Sequence, residues 1–232
     1  MQLLLMPGMD GTGELFAPLL GALSTSVSAR VISYPRHEPL GYAALLPIVR
    51  AALPMEPFVL VGESFSGPLA LMVAAERPVG LRGVVLCASF VKNPVWWAPS
   101  VLRHAVRGAA FRVFPAFAQT RALLGRHGTP ALCELLAKAN AGVSPAVLAM
   151  RARSILTIDV VEELRACPVP ILYIRGADDG VVTIRSLRRI QAVVPAVEVV
   201  TVPAPHLVLQ CQPEASAAAI LAFARSVGGG DP

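Results

Sequence analysis

The stretch Phe58-Val59-Leu60-Val61-Gly62-Glu63-Ser64-Phe65-Ser66-Gly67 decides how the rest of the chain is read. Four consecutive apolar residues, 58–61, predict a strand covered on both faces. Residues 67–76 predict an apolar helix, with Pro68 near its start and Pro78 just past its end. Between them lies Gly62-Glu63-Ser64-Phe65-Ser66, one letter short of Gly-x-Ser-x-Gly. That motif holds a nucleophilic serine on a strained turn between a strand and a helix. The residues two before and two after the serine press on neighbouring chain, so both must be small. Gly62 and Ser66 qualify, and Gly67 gives further room. A serine at position 66 is tolerable if its hydroxyl finds a partner. Ser66 is a poor rival nucleophile because its own +2 neighbour is Pro68. A bare match of this kind also arises by chance, so Ser64 needs partners elsewhere in the chain.

Working outward, strand-type runs recur at Gln2–Met6, Ala29–Tyr34, Phe58–Val61, Gly83–Ala88, Pro170–Arg175 and Glu198–Val202. Helical stretches near 14–23, 41–52, 67–76, 183–193 and 213–226 separate them. Strands alternating with helices predict an α/β architecture: a parallel sheet with helices on both sides. From Phe90 to Arg165 the strand signal stops. That stretch reads as short helices broken near Pro115, Gly125–Pro130 and Gly142–Pro145, an all-helical insertion between two strands.

A chain of 232 residues suits one domain carrying an insertion. It is 55% hydrophobic and 15% charged, but its apolar runs are short, so no transmembrane helix is expected. The N-terminus lacks the basic region of a signal peptide, and Pro7-Gly8 ends its apolar run, which makes the cytoplasm the expected compartment. Cys87, Cys133, Cys167 and Cys211 lie far apart, a pattern of reduced thiols rather than of a zinc site or disulfide framework.

A catalytic serine needs a base, and the base needs an orienting acid. Of the four histidines, only His206 follows the last strand, at the carboxyl edge where sites of parallel sheets form. His37 sits in a polar loop, and His104 and His127 lie among arginines in the insertion. The acid belongs after the preceding strand, where the chain reads Gly176-Ala177-Asp178-Asp179-Gly180. Adjacent residues point in different directions, so one aspartate can orient His206. The other is expected to bond backbone amides of its own turn. Two amides must also face the oxygen that becomes charged in the transition state. The Phe65 amide, just after the nucleophile, is one candidate, and the Met9 amide in the glycine-rich loop Pro7–Gly13 is the other. That loop has neither Gly-x-Gly-x-x-Gly nor a Lys-Ser/Thr ending, which argues against a phosphate cradle.

Four segments, "LLLMPGMDGTGELF", "VLVGESFSGPLAL", "ILYIRGADDGVV" and "VPAPHLVLQCQPE", together resemble the α/β-hydrolase superfamily, particularly its small bacterial serine esterases and lipase-like hydrolases. The resemblance covers roughly residues 2–225, in the family's order. It implies a minimal sheet of about six strands, with 1–90 and 166–232 as the core and 91–165 as a helical cap. The family's Gly-x-x-Asp spacing, counted from Gly176, selects Asp179 over Asp178. The catalytic set is then Ser64, His206 and Asp179, with Met9 and Phe65 as oxyanion donors. Such a mechanism needs no metal or organic cofactor. Pro7-Gly8 stands where many members have His-Gly, and Ser66 stands where they have glycine.

The expected activity is hydrolysis of short- to medium-chain acyl esters, with Trp96 and Trp97 of the cap lining the entrance. The alternatives are a thioester hydrolase acting on acyl-carrier protein or coenzyme A, and a non-catalytic ligand-binding homologue. Residues 93–158 hold eight basic residues, Arg151 among them, and a single acid, a net of +7 in a chain of net +5. The simplest reading is a solvated arginine-rich face; the sharper one is a dock for an acidic acyl-carrier protein. Nucleic-acid binding is not expected, because stacking aromatics are not interleaved with these residues.

Overall fold

The computed structural model describes residues 1–23, 27–95, 100–106 and 116–229. Six parallel strands form one sheet: β1 (Gln2–Met6), β2 (Ser28–Val31), β3 (Phe58–Glu63), β4 (Leu81–Cys87), β5 (Ile171–Gly176) and β6 (Glu198–Val202), in the order β2-β1-β3-β4-β5-β6. Every strand read from the sequence is present. Their side chains alternate between two apolar layers. Leu4, Leu60 and Leu86 face α2 (Tyr42–Ala51) and α3 (Ser66–Ala75). Leu3, Val59 and Val85 face α1 (Ala17–Ala22) on the other side. Burial on both faces is why the strands read as continuous apolar runs.

The edge strand β2 ends three residues earlier than the sequence suggests. Past Val31 the chain peels away to brace the loop after β1: the Ile32 amide still reaches Leu5 O at 2.9 Å, and the Tyr34 amide donates to Gly11 O at 2.7 Å. The chain runs outward from β1 to β2 and returns to β3 on the other side. The loops after β1 and β3 therefore flank a crevice where the strand order reverses.

Between β4 and β5 the described residues hold short 3₁₀ turns and four helices: α4 (Ala116–Leu124), α5 (Pro130–Ala141), α6 (Pro145–Thr157) and α7 (Val161–Ala166). Thr129 and Ser144 explain two of the expected breaks. Each accepts an N-cap bond (from Leu132 N at 3.2 Å and Val147 N at 3.3 Å), and a proline follows each as the first helical residue. The insertion's two ends meet at an antiparallel bridge, Lys92 to Asp159, reinforced by an ion pair of 2.9 Å. After β5 come α8 (Ile184–Val193), β6, the short α9 (Val208–Cys211) and α10 (Pro213–Gly228). Among the described residues no helix is long and apolar enough to cross a membrane.

Candidate active site

Ser64 sits between β3 and α3 with φ +46°, a left-handed conformation that costs a non-glycine residue energy. Its neighbours hold it there. The Ser64 amide donates to Cys87 O at 2.8 Å, and Ser89 Oγ donates to Ser64 O at 2.7 Å. A Cβ on Gly62 would lie 2.9 Å from Ser66 O, and one on Gly67 would lie 1.8 Å from Ser89 Oγ. Gly67 thus serves the approach of Ser89 as well as general room. Ser66 is fully buried, and its hydroxyl is satisfied twice: it donates to Pro7 O and accepts from Tyr34 Oη at 2.7 Å. The departure from glycine is accommodated by those two partners.

Ser64 Oγ lies 3.0 Å from His206 Nε2, and His206 Nδ1 lies 2.9 Å from Asp179 Oδ2. The carboxylate accepts from Nδ1–H, which leaves the Nε2 lone pair facing the serine hydroxyl. His206 reaches this place on the loop after β6. That loop crosses Gly176, where a Cβ would lie 2.3 Å from Pro205 O. Burial opposes charging of the His206 imidazole. The Asp179 charge, its hydrogen bond and the Glu63 charge outweigh that opposition and raise the pKa.

Asp179 also takes the task expected of its neighbour, its Oδ1 accepting from the Val181 and Val182 amides at 2.8 and 2.9 Å. Asp178 corrects that expectation: it turns outward to Arg126 at 3.1 Å and His127 at 3.5 Å in the insertion.

The loop after β1 is pinned at successive peptide groups. Besides Pro7 O on Ser66, the Gly11 amide donates to Gly8 O at 3.0 Å, and the Asp10 carboxylate accepts from Thr12. The Gly8 amide bonds Glu63, whose other partner is Gln210 Nε2 at 2.9 Å. Burial is the main reason the Glu63 carboxyl is pushed up to about 7. Among the described residues no acceptor takes the Met9 or Phe65 amide.

This arrangement agrees with sequence comparison: residues 3–219 match the model of the alpha/beta hydrolase family. The chain belongs to the alpha/beta hydrolase family. Phytyl ester synthase 1, chloroplastic, from Arabidopsis thaliana is 39% identical over 103 residues, 40% of this chain and 15% of that longer protein. A putative carbamate hydrolase, RutD, of Caulobacter sp. (strain K31) is 25% identical over 239 residues, 95% of this chain and 89% of the relative. In fold, the hydrolase superposes on a thermophilic esterase from Thermogutta terrifontis with a TM-score of 0.82 at 21% identity, over 98% of this chain and 90% of the other.

Above Ser64 and His206 the hydrolase has a partly open cavity of about 160 Å³. Its walls are mostly apolar, with Leu15, Phe90, Leu123, Leu136, Ile155 and Leu207 prominent. The insertion reaches the histidine loop directly, the Leu207 amide donating to Leu123 O at 3.1 Å. Trp96 and Trp97 lie outside the described residues. No group of three or more metal-ligating side chains occurs among the described residues.

Four residues at the site escaped the sequence reading: Glu63, Ser89, Arg151 and Gln210. Arg151 corrects the picture of a uniformly solvated basic face. It is 0% exposed, whereas Arg103, Arg121, Arg126 and Lys138 are exposed. A signal for it did exist. Val147, Arg151 and Ile155 share one stripe at four-residue spacing, and that stripe points inward.

Proposed function

We propose that this alpha/beta hydrolase is a serine carboxylesterase acting on short- to medium-chain acyl esters. The single observation that carries the reading is the bonded series Ser64–His206–Asp179 on a strained elbow. Ser64 Oγ attacks the acyl carbonyl and passes its proton to His206 Nε2. Asp179 holds the imidazole tautomer and stabilises the imidazolium. The Met9 and Phe65 amides receive the oxyanion, a use consistent with their lack of any other acceptor among the described residues. The tetrahedral intermediate collapses, and the alcohol leaves with the proton from His206. Water then repeats the sequence in reverse roles and releases the acid. The insertion acts as a cap. A cavity near 160 Å³ suits a group about the size of benzene, hence acyl chains of about four to six carbons.

A p-nitrophenyl ester series from acetate to palmitate tests this. Turnover should peak at butyrate or hexanoate, and Ser64→Ala should remove it, with a loss on the order of 10⁶-fold. Equal turnover by Ser64→Ala would overturn the reading.

The 39% match to an ester synthase favours a second reading, in which an alcohol rather than water takes the acyl group from Ser64. Supplying a long-chain alcohol with the acyl donor and measuring ester against free acid separates the two.

A further inference from the structure

Arg151 joins the helical insertion to the loop that carries Met9. Nη1 donates to Met9 O at 2.9 Å and to Asp10 O at 2.7 Å, and Nη2 donates to Pro35 O at 3.0 Å. All three acceptors belong to core loops, none to the helix that bears the arginine. The guanidinium carbon lies 5.6 Å from the centre of the Tyr34 ring, within cation–π range. Gly11 makes room: its φ is +69°, and a Cβ there would sit 2.3 Å from Nη1. Among the described residues no carboxylate lies within ion-pair distance of Arg151. Its charge is met by carbonyl dipoles and, through space, by Asp10.

Burying a cation without a paired anion costs several kcal/mol, and an apolar residue of similar volume would fill the space with less penalty. What the guanidinium does, and methionine does not, is fix successive carbonyls. With the Met9 and Asp10 carbonyls on Arg151, Gly8 O on the Gly11 amide and Pro7 O on Ser66, the peptide groups on both sides of the Met9 N–H are held. A donor to a developing charge must be oriented before the reaction, because reorientation during it raises the barrier.

We propose that Arg151 is a positioning residue that orients the Met9 amide from the helical insertion, so that the insertion forms part of the oxyanion machinery as well as the roof. The proposal rests on the serine-hydrolase reading. It predicts that Arg151→Met lowers kcat for p-nitrophenyl butyrate by about 10²-fold, the scale of a lost or misplaced donor, while KM changes less than about threefold.

The experiment measures wild type, Arg151→Met and Arg151→Lys in parallel. The readouts are kcat, KM, the inhibition constant of an alkylboronic acid (which adopts the tetrahedral adduct) and melting temperature. The expected result is a boronate affinity that falls in step with kcat, with Arg151→Lys intermediate because an ammonium lacks the guanidinium's fork. In Arg151→Ala, added guanidinium should restore part of kcat. A folded Arg151→Met with wild-type kcat would overturn the proposal. So would a kcat loss that leaves boronate affinity unchanged. If Arg151→Met fails to fold, Arg151→Lys with wild-type kcat and boronate affinity overturns it as well. An inert wild type that no fluorophosphonate labels would overturn the serine-hydrolase reading and this inference with it. An active wild type beside an equally active Arg151→Met would overturn this inference alone.

Discussion

The hydroxyl of Tyr34 lies 2.7 Å from Ser66 Oγ, and Ser66 passes its own proton bond to Pro7 O. A residue at the end of the β2 excursion is thereby tied, through the elbow, to the loop after β1. Ser66→Gly restores the common motif but leaves two buried polar atoms, Tyr34 Oη and Pro7 O, without that partner. It should cost about 1–3 kcal/mol of stability rather than add any. Urea unfolding checks this. The penalty should shrink in a Tyr34→Phe background, because one of the orphaned groups is then gone.

Gly67 and Ser89 are coupled by contact. The alanine Cβ would overlap Ser89 Oγ and lie 2.6 Å from Ser89 Cβ. Gly67→Ala should destabilise by about 1–3 kcal/mol and lower kcat, because Ser89 holds the Ser64 carbonyl. Gly67→Ala/Ser89→Gly should regain part of the stability. A double-mutant cycle by urea unfolding measures that coupling.

The adjacent aspartates should separate cleanly in kinetics. Asp179→Asn removes the acceptor that sets the His206 tautomer, and kcat should fall about 10⁴-fold. Asp178→Asn breaks exposed contacts to Arg126 and His127, and should leave kcat within about twofold and stability within about 1 kcal/mol. Steady-state assay and thermal melts of both variants give the comparison.

Two pH effects follow from Glu63. In the proposed mechanism the neutral His206 imidazole is the active form, and its pKa is raised, so the acid limb of kcat/KM should have a midpoint above the ordinary 6.5. Glu63→Gln removes one of the charges that favour the imidazolium, so the limb should move to lower pH.

Stability carries the second effect. The folded carboxyl titrates near 7 against an ordinary 4.5, so the folded state holds a proton that the unfolded state has lost. That stability is complete below pH 4.5 and is lost as pH rises through 7. Relative to wild type, Glu63→Gln should gain on the order of 2–3 kcal/mol between pH 4.5 and pH 8 in urea unfolding.

The strained strand-to-helix turn at Ser64 was legible because its demands are local. Small residues at 62, 66 and 67, an apolar strand before and an apolar helix after are all contained within a few neighbouring turns of chain. His206 was legible from its place after the last strand. Asp179 needed the family's spacing, since nothing in Asp178-Asp179 itself says which carboxylate turns inward. Arg151 was misread as one more solvated cation because it was counted by charge rather than by its place on the Val147–Ile155 stripe. Glu63 and Gln210 carried no signal, since the carboxyl beside Ser64 acquires its environment from a residue 147 positions away.

Sequence alone therefore determined the six-strand alternation, the strand-to-helix turn at Ser64 and the places of the Asp178-Asp179 pair and of His206 after the last two strands, because hydrophobic periodicity and backbone sterics act between near neighbours in the chain. Tertiary structure alone decided that Asp178 turns outward to Arg126 and His127, how a serine replaces the elbow glycine and which arginine of the insertion enters the core. Those outcomes depend on hydrogen bonds and close contacts between segments far apart in sequence, and only the assembled sheet brings such groups within reach of one another.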